Sequence, residues 1–441
     1  MKISIKTLAI SFGLISSVAA SAQDAEKIDT LNVHEQRITS VEDGLFQLKK
    51  LKFSGYIQAE WQSSQLDSLK NKSNDMKVGN GIAGPEKTAD SYNRYGIRRG
   101  RLKATYEDFG CKGVIEFDIS EGGLKTKDVY LSVLDPWTNF FTVKGGVFDN
   151  PFGFEIGYSS SSLESPERSR IIQSLFPDEK AMGAMLTIQA PKTSPWTVLK
   201  LDAGLVSGNA IAKDYKSKKD FVGRLSYNNA TATMKYGIGV SGYMGSNMLL
   251  TGKQYKISNN AFVKDSVGLN KYTDRAYFGI DAQVSMATKI GVSSLRGEFI
   301  TGTQPGTDKS SASNNGYDAT ATAGVYDLYI RKFQGGYITF VQDILDTKSS
   351  IVVKYDWYDP NTNMSGDKIG ILPAGSPSSA KATSKIDGAY STLGLGYIYR
   401  MNNNVKLTAY YDIVSNESTK VKGYFKNVTD NVFTLRLQYK F

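Results

Sequence analysis

The C-terminal end of the chain alternates strictly between apolar and polar residues. Phe433, Leu435, Leu437, Tyr439 and Phe441 share one parity, and polar or charged residues stand between them. Successive side chains of a β-strand point to opposite faces of a sheet, so this period of two predicts a strand with one apolar and one polar face. From Lys52 onward, similar runs recur in about 16 segments, most of them near the roughly 9–11 residues that a tilted strand needs to cross a bilayer.

The connections between these segments alternate in length. Short turns alternate with long polar connections, except that the connection at 120–126 is short where a long one is due. The long connections are predicted at 63–94, 149–180, 207–219, 244–273, 302–333, 359–388 and 414–432. Strands can span a bilayer only when the sheet closes on itself and pairs every backbone polar group. The sequence therefore predicts an all-β fold, a transmembrane antiparallel β-barrel of about 16 strands.

The N-terminal part of the chain does not follow this pattern. A basic start, an apolar run and an A-x-A cleavage site predict a signal peptide over residues 1–22. In residues 23–51, apolar positions repeat at spacings of three and four, which predicts a short periplasmic coiled-coil helix that associates with copies of itself. His34 takes a core position of this repeat, where it either fixes the register or joins a ring of histidines or a trapped anion. Residues 52–441 are then the barrel.

The composition excludes several kinds of chemistry. The chain of 441 residues contains one Cys and one His, so an internal disulfide, a Cys-cluster metal site and a His-rich metal site are all excluded. We therefore expect no cofactor, no metal site and no enzyme activity. A barrel enzyme would use a Ser/His or Asp/His site, whereas His34 lies outside the predicted barrel. The net charge of +10 suits anionic solutes better than nucleic acid, which an exported protein has little occasion to bind.

The second predicted strand carries a ladder of basic residues. Arg99, Arg101 and Lys103 share the water-facing parity of this strand. Three like charges on one strand face repel each other, so they require water, neighbouring counter-charges or passing anions; local salt bridges are the alternative to an anion site. Arg98 has the opposite, lipid-facing parity, where a charge at the bilayer midplane costs about 2–4 kcal/mol. Arg98 is therefore expected near a rim, at a subunit contact or under a folded loop.

The sequence resembles the phosphate-selective porin O and P family of outer-membrane channels, in the form common among Bacteroidetes. The resemblance covers about residues 50–441. It rests on Arg98-Arg99, on the runs 145–155, 159–168 and 355–361, and on the terminal strand ending at Phe441. It implies a trimeric barrel of 16 strands in which the loop at 149–180 folds inward and narrows the pore. It also implies that Arg98 and Arg99 bind anions at the constriction, with Lys144 as a further constriction residue.

These observations together predict a passive outer-membrane channel for small hydrophilic solutes. The expected preference is for anions such as phosphate, and the expected assembly is a homotrimer in outer-membrane lipid. The residues predicted to bind anions and to form the constriction are Arg98, Arg99, Arg101, Lys103 and Lys144. Inward-facing acids such as Glu116 and Asp118 are expected to weaken the selectivity. The alternative is an adhesin or surface-binding barrel with a plugged lumen, and channel conductance would separate the two.

Overall fold

The computed structural model describes residues 49–65, 91–313, 326–345, 347–428 and 430–441. Eighteen strands and one α-helix, α1 (Arg170–Leu175), are formed within these ranges. The strands are β1 (Leu51–Gln65), β2 (Ser91–Asp108), β3 (Cys111–Ser120), β4 (Gly123–Leu134), β5 (Phe141–Asp149), β6 (Lys180–Gln189), β7 (Leu199–Val206), β8 (Asp220–Ala230), β9 (Met234–Leu249), β10 (Lys253–Ser258), β11 (Ala261–Ser266), β12 (Lys271–Thr288), β13 (Gly291–Gly306), β14 (Leu328–Asp343), β15 (Ser349–Asp359), β16 (Tyr390–Arg400), β17 (Val405–Asn416) and β18 (Val432–Lys440).

Sixteen of these strands form a closed antiparallel barrel. The first and last strands pair with each other, from Tyr56 opposite Lys440 to Ser64 opposite Val432. β9 pairs directly with β12, so β10 and β11 form a separate hairpin within the connection between them. Closure leaves no unpaired sheet edge, which confirms the fold class predicted from the alternation.

The two faces of the barrel wall differ as the sequence predicts. In β18, the side chains of Thr434, Arg436 and Gln438 are buried, whereas Leu435 and Leu437 are exposed. The apolar residues of the wall therefore lie on its outer surface and the polar residues face its interior. This arrangement is the reverse of that in a water-soluble protein. It suits a barrel whose exterior contacts lipid and whose interior holds water.

One of the long connections enters the barrel. We call residues 150–179, between β5 and β6, the constriction loop. Its apolar residues, including Phe152 and Ile172, join one buried cluster with side chains from the opposite wall. The wall side chains of that cluster include Tyr243 of β9, Tyr277 of β12 and Phe333 of β14. The constriction loop is thus held against the β9–β15 side of the interior, as the predicted inward fold requires.

The predicted signal peptide and nearly all of the predicted coiled coil, including His34, lie outside the described residues. Both remain predictions, as does the domain boundary at residue 52. Within the described ranges, no helix combines the length and the apolar character needed to pass through a membrane.

Candidate functional site

Glu167 of the constriction loop binds three arginines of the barrel wall. Arg98 of β2 reaches it with two nitrogens, Nε at 2.6 Å from Oε1 and Nη2 at 2.7 Å from Oε2. Arg99 donates to Oε2 at 2.9 Å, and Arg436 of β18 donates to Oε1 at 3.1 Å. The Glu167 side chain is only 8% exposed. Burial by itself raises the pKa of Glu167, but the three neighbouring guanidinium charges hold that pKa well below its ordinary value of 4.5.

This depressed pKa gives a prediction for the pH dependence of selectivity. A carboxylate with a depressed pKa contributes stability above its unfolded-state pKa and loses it only as the pH falls through the folded-state value. Glu167 is therefore expected to stay ionised at pH 5. The difference in reversal potential between the wild-type channel and a Glu167→Gln channel should be the same at pH 7 and pH 5. A difference that shrinks over this interval would show that Glu167 titrates near its ordinary pKa.

Arg98 faces the constriction loop because β2 is irregular at this point. Ile97 and Leu102 are both exposed on the outer face, although residues five apart on a regular strand point to opposite faces. The alternation therefore changes phase between them, and both Arg98 and Arg99 reach Glu167. The pairing of β2 with β3 begins only at Arg101, opposite Asp118. The backbone N–H of the preceding residue, Gly100, donates instead to the side chain of Asp118 at 3.1 Å. Of the three locations that the sequence allows for Arg98, the structure selects the folded loop.

The other two basic residues of the β2 ladder pair with acids of neighbouring strands. Arg101 contacts Glu116 at 2.6 Å and Asp118 at 3.1 Å, and both acids belong to β3. Lys103 contacts Asp128 of β4 at 3.2 Å and Glu116 at 3.3 Å. The ladder is thus stabilised by local counter-charges, one of the alternatives that the sequence leaves open.

Lys144 of β5 lies apart from this group. Its Nζ is 4.6 Å from the ring centroid of Tyr130 and 5.7 Å from that of Phe148. These distances are typical of cation–π contacts, in which the negative face of an aromatic ring attracts the ammonium group. Lys144 therefore faces the interior, as its parity predicts, but it is not brought together with Arg98 and Arg99.

Further contacts tie the constriction loop to the wall and to itself. Lys354 of β15 binds Glu155 at 2.9 Å, and Glu155 also accepts a hydrogen bond from the backbone N–H of Ser169 at 2.8 Å. Arg168 donates to the carbonyl oxygen of Glu155 at 2.9 Å and to that of Tyr158 at 2.7 Å. Buried charged groups consequently connect the loop to the wall and to itself, and these contacts give it a defined position in the barrel.

The first part of the constriction loop, residues 153–155, is fixed by Glu298 of β13. Its Oε2 accepts hydrogen bonds from the backbone N–H groups of Phe154 and Glu155, both at 3.2 Å. The N–H of the adjoining Gly153 donates to Ser241 of β9 at 2.9 Å. Gly153 has a φ of +62°, and a Cβ there would overlap the Glu298 carboxylate. The position therefore requires glycine for both its backbone conformation and its close approach.

An open cavity of 320 Å³ remains between the constriction loop and the part of the wall formed by β1–β6 and β18. Its charged lining residues come from β2 to β6, from the constriction loop and from β18. They are the basic residues Arg101, Lys103, Arg168, Lys180 and Lys440 and the acidic residues Glu116, Asp128, Asp149 and Glu179. Hydroxyl groups of Ser159, Ser160 and Ser161 complete much of the surface on the loop side. This polar, water-accessible space is what the inward-folded loop leaves open.

The sequence pattern does not identify the acids that bind the basic ladder from the loop side. Glu167 and Arg168 enter only through the family resemblance, and the pattern does not mark Glu179 and Lys180 as site residues. The sequence gives a partial indication of these contacts. Three charged residues lie close together in a connection that also contains apolar residues, namely Glu164, Glu167 and Arg168. Charges of both signs in a loop that packs inside a barrel are expected to find partners on its wall.

Comparison with solved structures finds similar folds at low sequence identity. An anion-selective porin from Comamonas acidovorans is 14% identical with a TM-score of 0.50, over 89% of this chain and 99% of that chain. A high-pH structure of OprB from Pseudomonas putida is 10% identical with a TM-score of 0.54, over 89% of this chain and 94% of that one. This chain shares the fold of these two proteins. No protein-family model and no curated protein matches the sequence.

Proposed function

We propose that this protein is a porin, a passive channel through which small hydrophilic solutes cross the outer membrane. The observation that carries the proposal is the 320 Å³ polar cavity beside a constriction loop anchored inside a closed barrel. An apolar exterior suits lipid, and a charged interior suits water and dissolved solutes. The fold shared with a protein described as an anion-selective porin supports the same function.

A modest preference for anions, including phosphate, is part of the proposal. Five basic and four acidic side chains line the cavity, so the excess charge is positive. Lys103 and Arg101 contribute to this field directly, and Lys144 adds a cation elsewhere on the inner wall. Arg98 and Arg99 are not among the residues that line the cavity, and they act mainly by positioning the constriction loop through Glu167. Membership of the phosphate-selective porin O and P family remains our interpretation of the sequence motifs.

The assembly and location belong to the same proposal. We assign the barrel to the outer membrane as a homotrimer, with the short-turn end towards the periplasm. The predicted coiled coil over residues 23–51 suits a trimer with a periplasmic extension. A detergent-stable trimer on native gels would support this assignment, and a monomer by light scattering would contradict it.

Single-channel recording in a planar bilayer tests the proposed function. With a tenfold KCl gradient, we expect discrete conductance steps and a reversal potential of the sign given by chloride preference. A Lys103→Gln, Lys440→Gln variant should shift that potential towards cations, because it removes two of the five basic charges at the cavity. The absence of any conductance would contradict the channel and favour a plugged surface-binding barrel. Cation preference in the wild type would contradict only the selectivity.

A further inference from the structure

Four charged residues, part of a larger ion-pair network, form a row of alternating charge along the cavity wall. Lys103 Nζ lies 3.2 Å from Asp128 Oδ2, and Lys180 binds the other oxygen of the same carboxylate. Lys180 Nζ also lies 2.7 Å from Asp149 Oδ1. The row runs across β2, β4, the end of β5 and the start of β6, and all four residues line the cavity. The first and last residues of this row, Lys103 and Asp149, therefore have opposite charge, and beyond Lys103 the ion pairs continue through Glu116 to Arg101.

The two outer residues of this row are more exposed than the two inner ones. The side chains of Asp128 and Lys180 are 7% and 4% exposed, whereas those of Lys103 and Asp149 are 31% and 43% exposed. Both oxygens of Asp128 are occupied by lysines, and Lys180 bridges two carboxylates. Within this row, only Lys103 and Asp149 thus face the water of the cavity to any extent.

Among the described residues, Lys103 and Asp149 also retain binding capacity that no neighbouring group uses. An ammonium group has three donors, and Lys103 directs two of them towards Asp128 and Glu116. A carboxylate has two oxygens, and Asp149 uses Oδ1 for Lys180. A solute can therefore bind an exposed cation and an exposed anion without breaking the buried Asp128–Lys180 pair. A simple anion gains only the first of these contacts and also meets the negative charge of Asp149.

We propose that this wall binds zwitterionic solutes that carry separated ammonium and carboxylate groups, such as short peptides. The carboxylate contacts Lys103 and the ammonium contacts Asp149. The charged ends of an extended dipeptide are roughly 7 Å apart. A dipeptide therefore reaches further along this row of charges than a single amino acid does. This inference rests on the proposed channel function and adds a solute class to it.

Block of the open channel by three probes of similar size tests the inference. Glycylglycine is zwitterionic near pH 7, N-acetylglycine is an anion and glycylglycinamide is a cation. In about 0.1 M KCl, where charge screening is moderate, glycylglycine should reduce the single-channel current at lower concentration than either of the others. Lys103→Gln and Asp149→Asn should each raise the glycylglycine concentration for half-block about fivefold, as expected for loss of one partly exposed ion pair.

The matched control is Lys200→Gln on β7. Lys200 also pairs with an acid, Asp202 at 2.7 Å, and its side chain is 37% exposed, but it does not line the cavity. Block of this variant by glycylglycine should equal that of the wild type. Equal block by all three probes, or block unchanged in both cavity variants, would overturn the inference while leaving a conducting porin intact. A protein that does not conduct KCl would instead contradict the proposed function.

Discussion

Replacing Glu167 with Gln is expected to make the channel markedly more anion-selective and less stable. The substitution keeps the shape of the side chain but removes the negative charge that Arg98, Arg99 and Arg436 share. Arg436 retains Glu60 as a partner, whereas Arg98 and Arg99 retain no other acid at comparable distance in the described part of the chain. Removing one partner of a buried ion pair costs about 3–5 kcal/mol, because the remaining charge is left uncompensated.

The measurements are reversal potential in a salt gradient and the thermal midpoint of unfolding in detergent. Positive charge uncovered inside the barrel should move the reversal potential further towards chloride. The control is Glu121→Gln, which removes an acid whose side chain is 51% exposed and which pairs with Arg94 at 3.2 Å. Exposed pairs of this kind contribute about 1 kcal/mol or less, so the control should resemble the wild type. Wild-type selectivity and an unchanged midpoint in Glu167→Gln would contradict the anchoring role.

The barrel could be predicted from the sequence because its signal is repeated from residue 52 to the C-terminal end. Period-two alternation, strands long enough to cross a bilayer and alternating turn lengths each point to the same closed sheet. In β18 the predicted faces agree with the structure residue by residue, from buried Thr434 to exposed Leu437. The exceptionally short connection between β3 and β4, at residues 121–122, is also visible in the sequence as a break in the pattern.

The site was only partly predictable, for two physical reasons. Parity places a side chain on a face, but it fails where a strand changes phase, and Arg98 and Arg99 stand at such a point. Parity also gives no information about which loop residue meets a wall residue, because that pairing joins positions far apart in sequence. Glu167 and Arg436, for example, are separated by 269 positions. The basic ladder could therefore be found, whereas its counter-charges could not be assigned.

Gly153→Ala is expected to release the first part of the constriction loop, residues 153–155, from the barrel wall. The φ of +62° at Gly153 is unfavourable for alanine by roughly 1–2 kcal/mol. The added methyl group would also overlap the carboxylate of Glu298, which is 4% exposed and cannot move into water without leaving its site. Either Glu298 or the loop must shift, and the hydrogen bonds from Phe154 and Glu155 to Glu298 are then lost.

Because the loop narrows the interior, its release should increase single-channel conductance and lower the thermal midpoint together. Gly157→Ala provides a matched control within the same loop. Gly157 is exposed, and the nearest heavy atom to its added Cβ is the carbonyl oxygen of Phe154 at 4.0 Å. That variant should not conduct more than the wild type, because no part of the loop has to move when its methyl group enters the cavity. If both variants conduct like the wild type, the contact of residues 153–155 with Glu298 does not hold the loop. If both conduct more, glycine flexibility along the loop, rather than the single close approach at Gly153, determines the width of the channel.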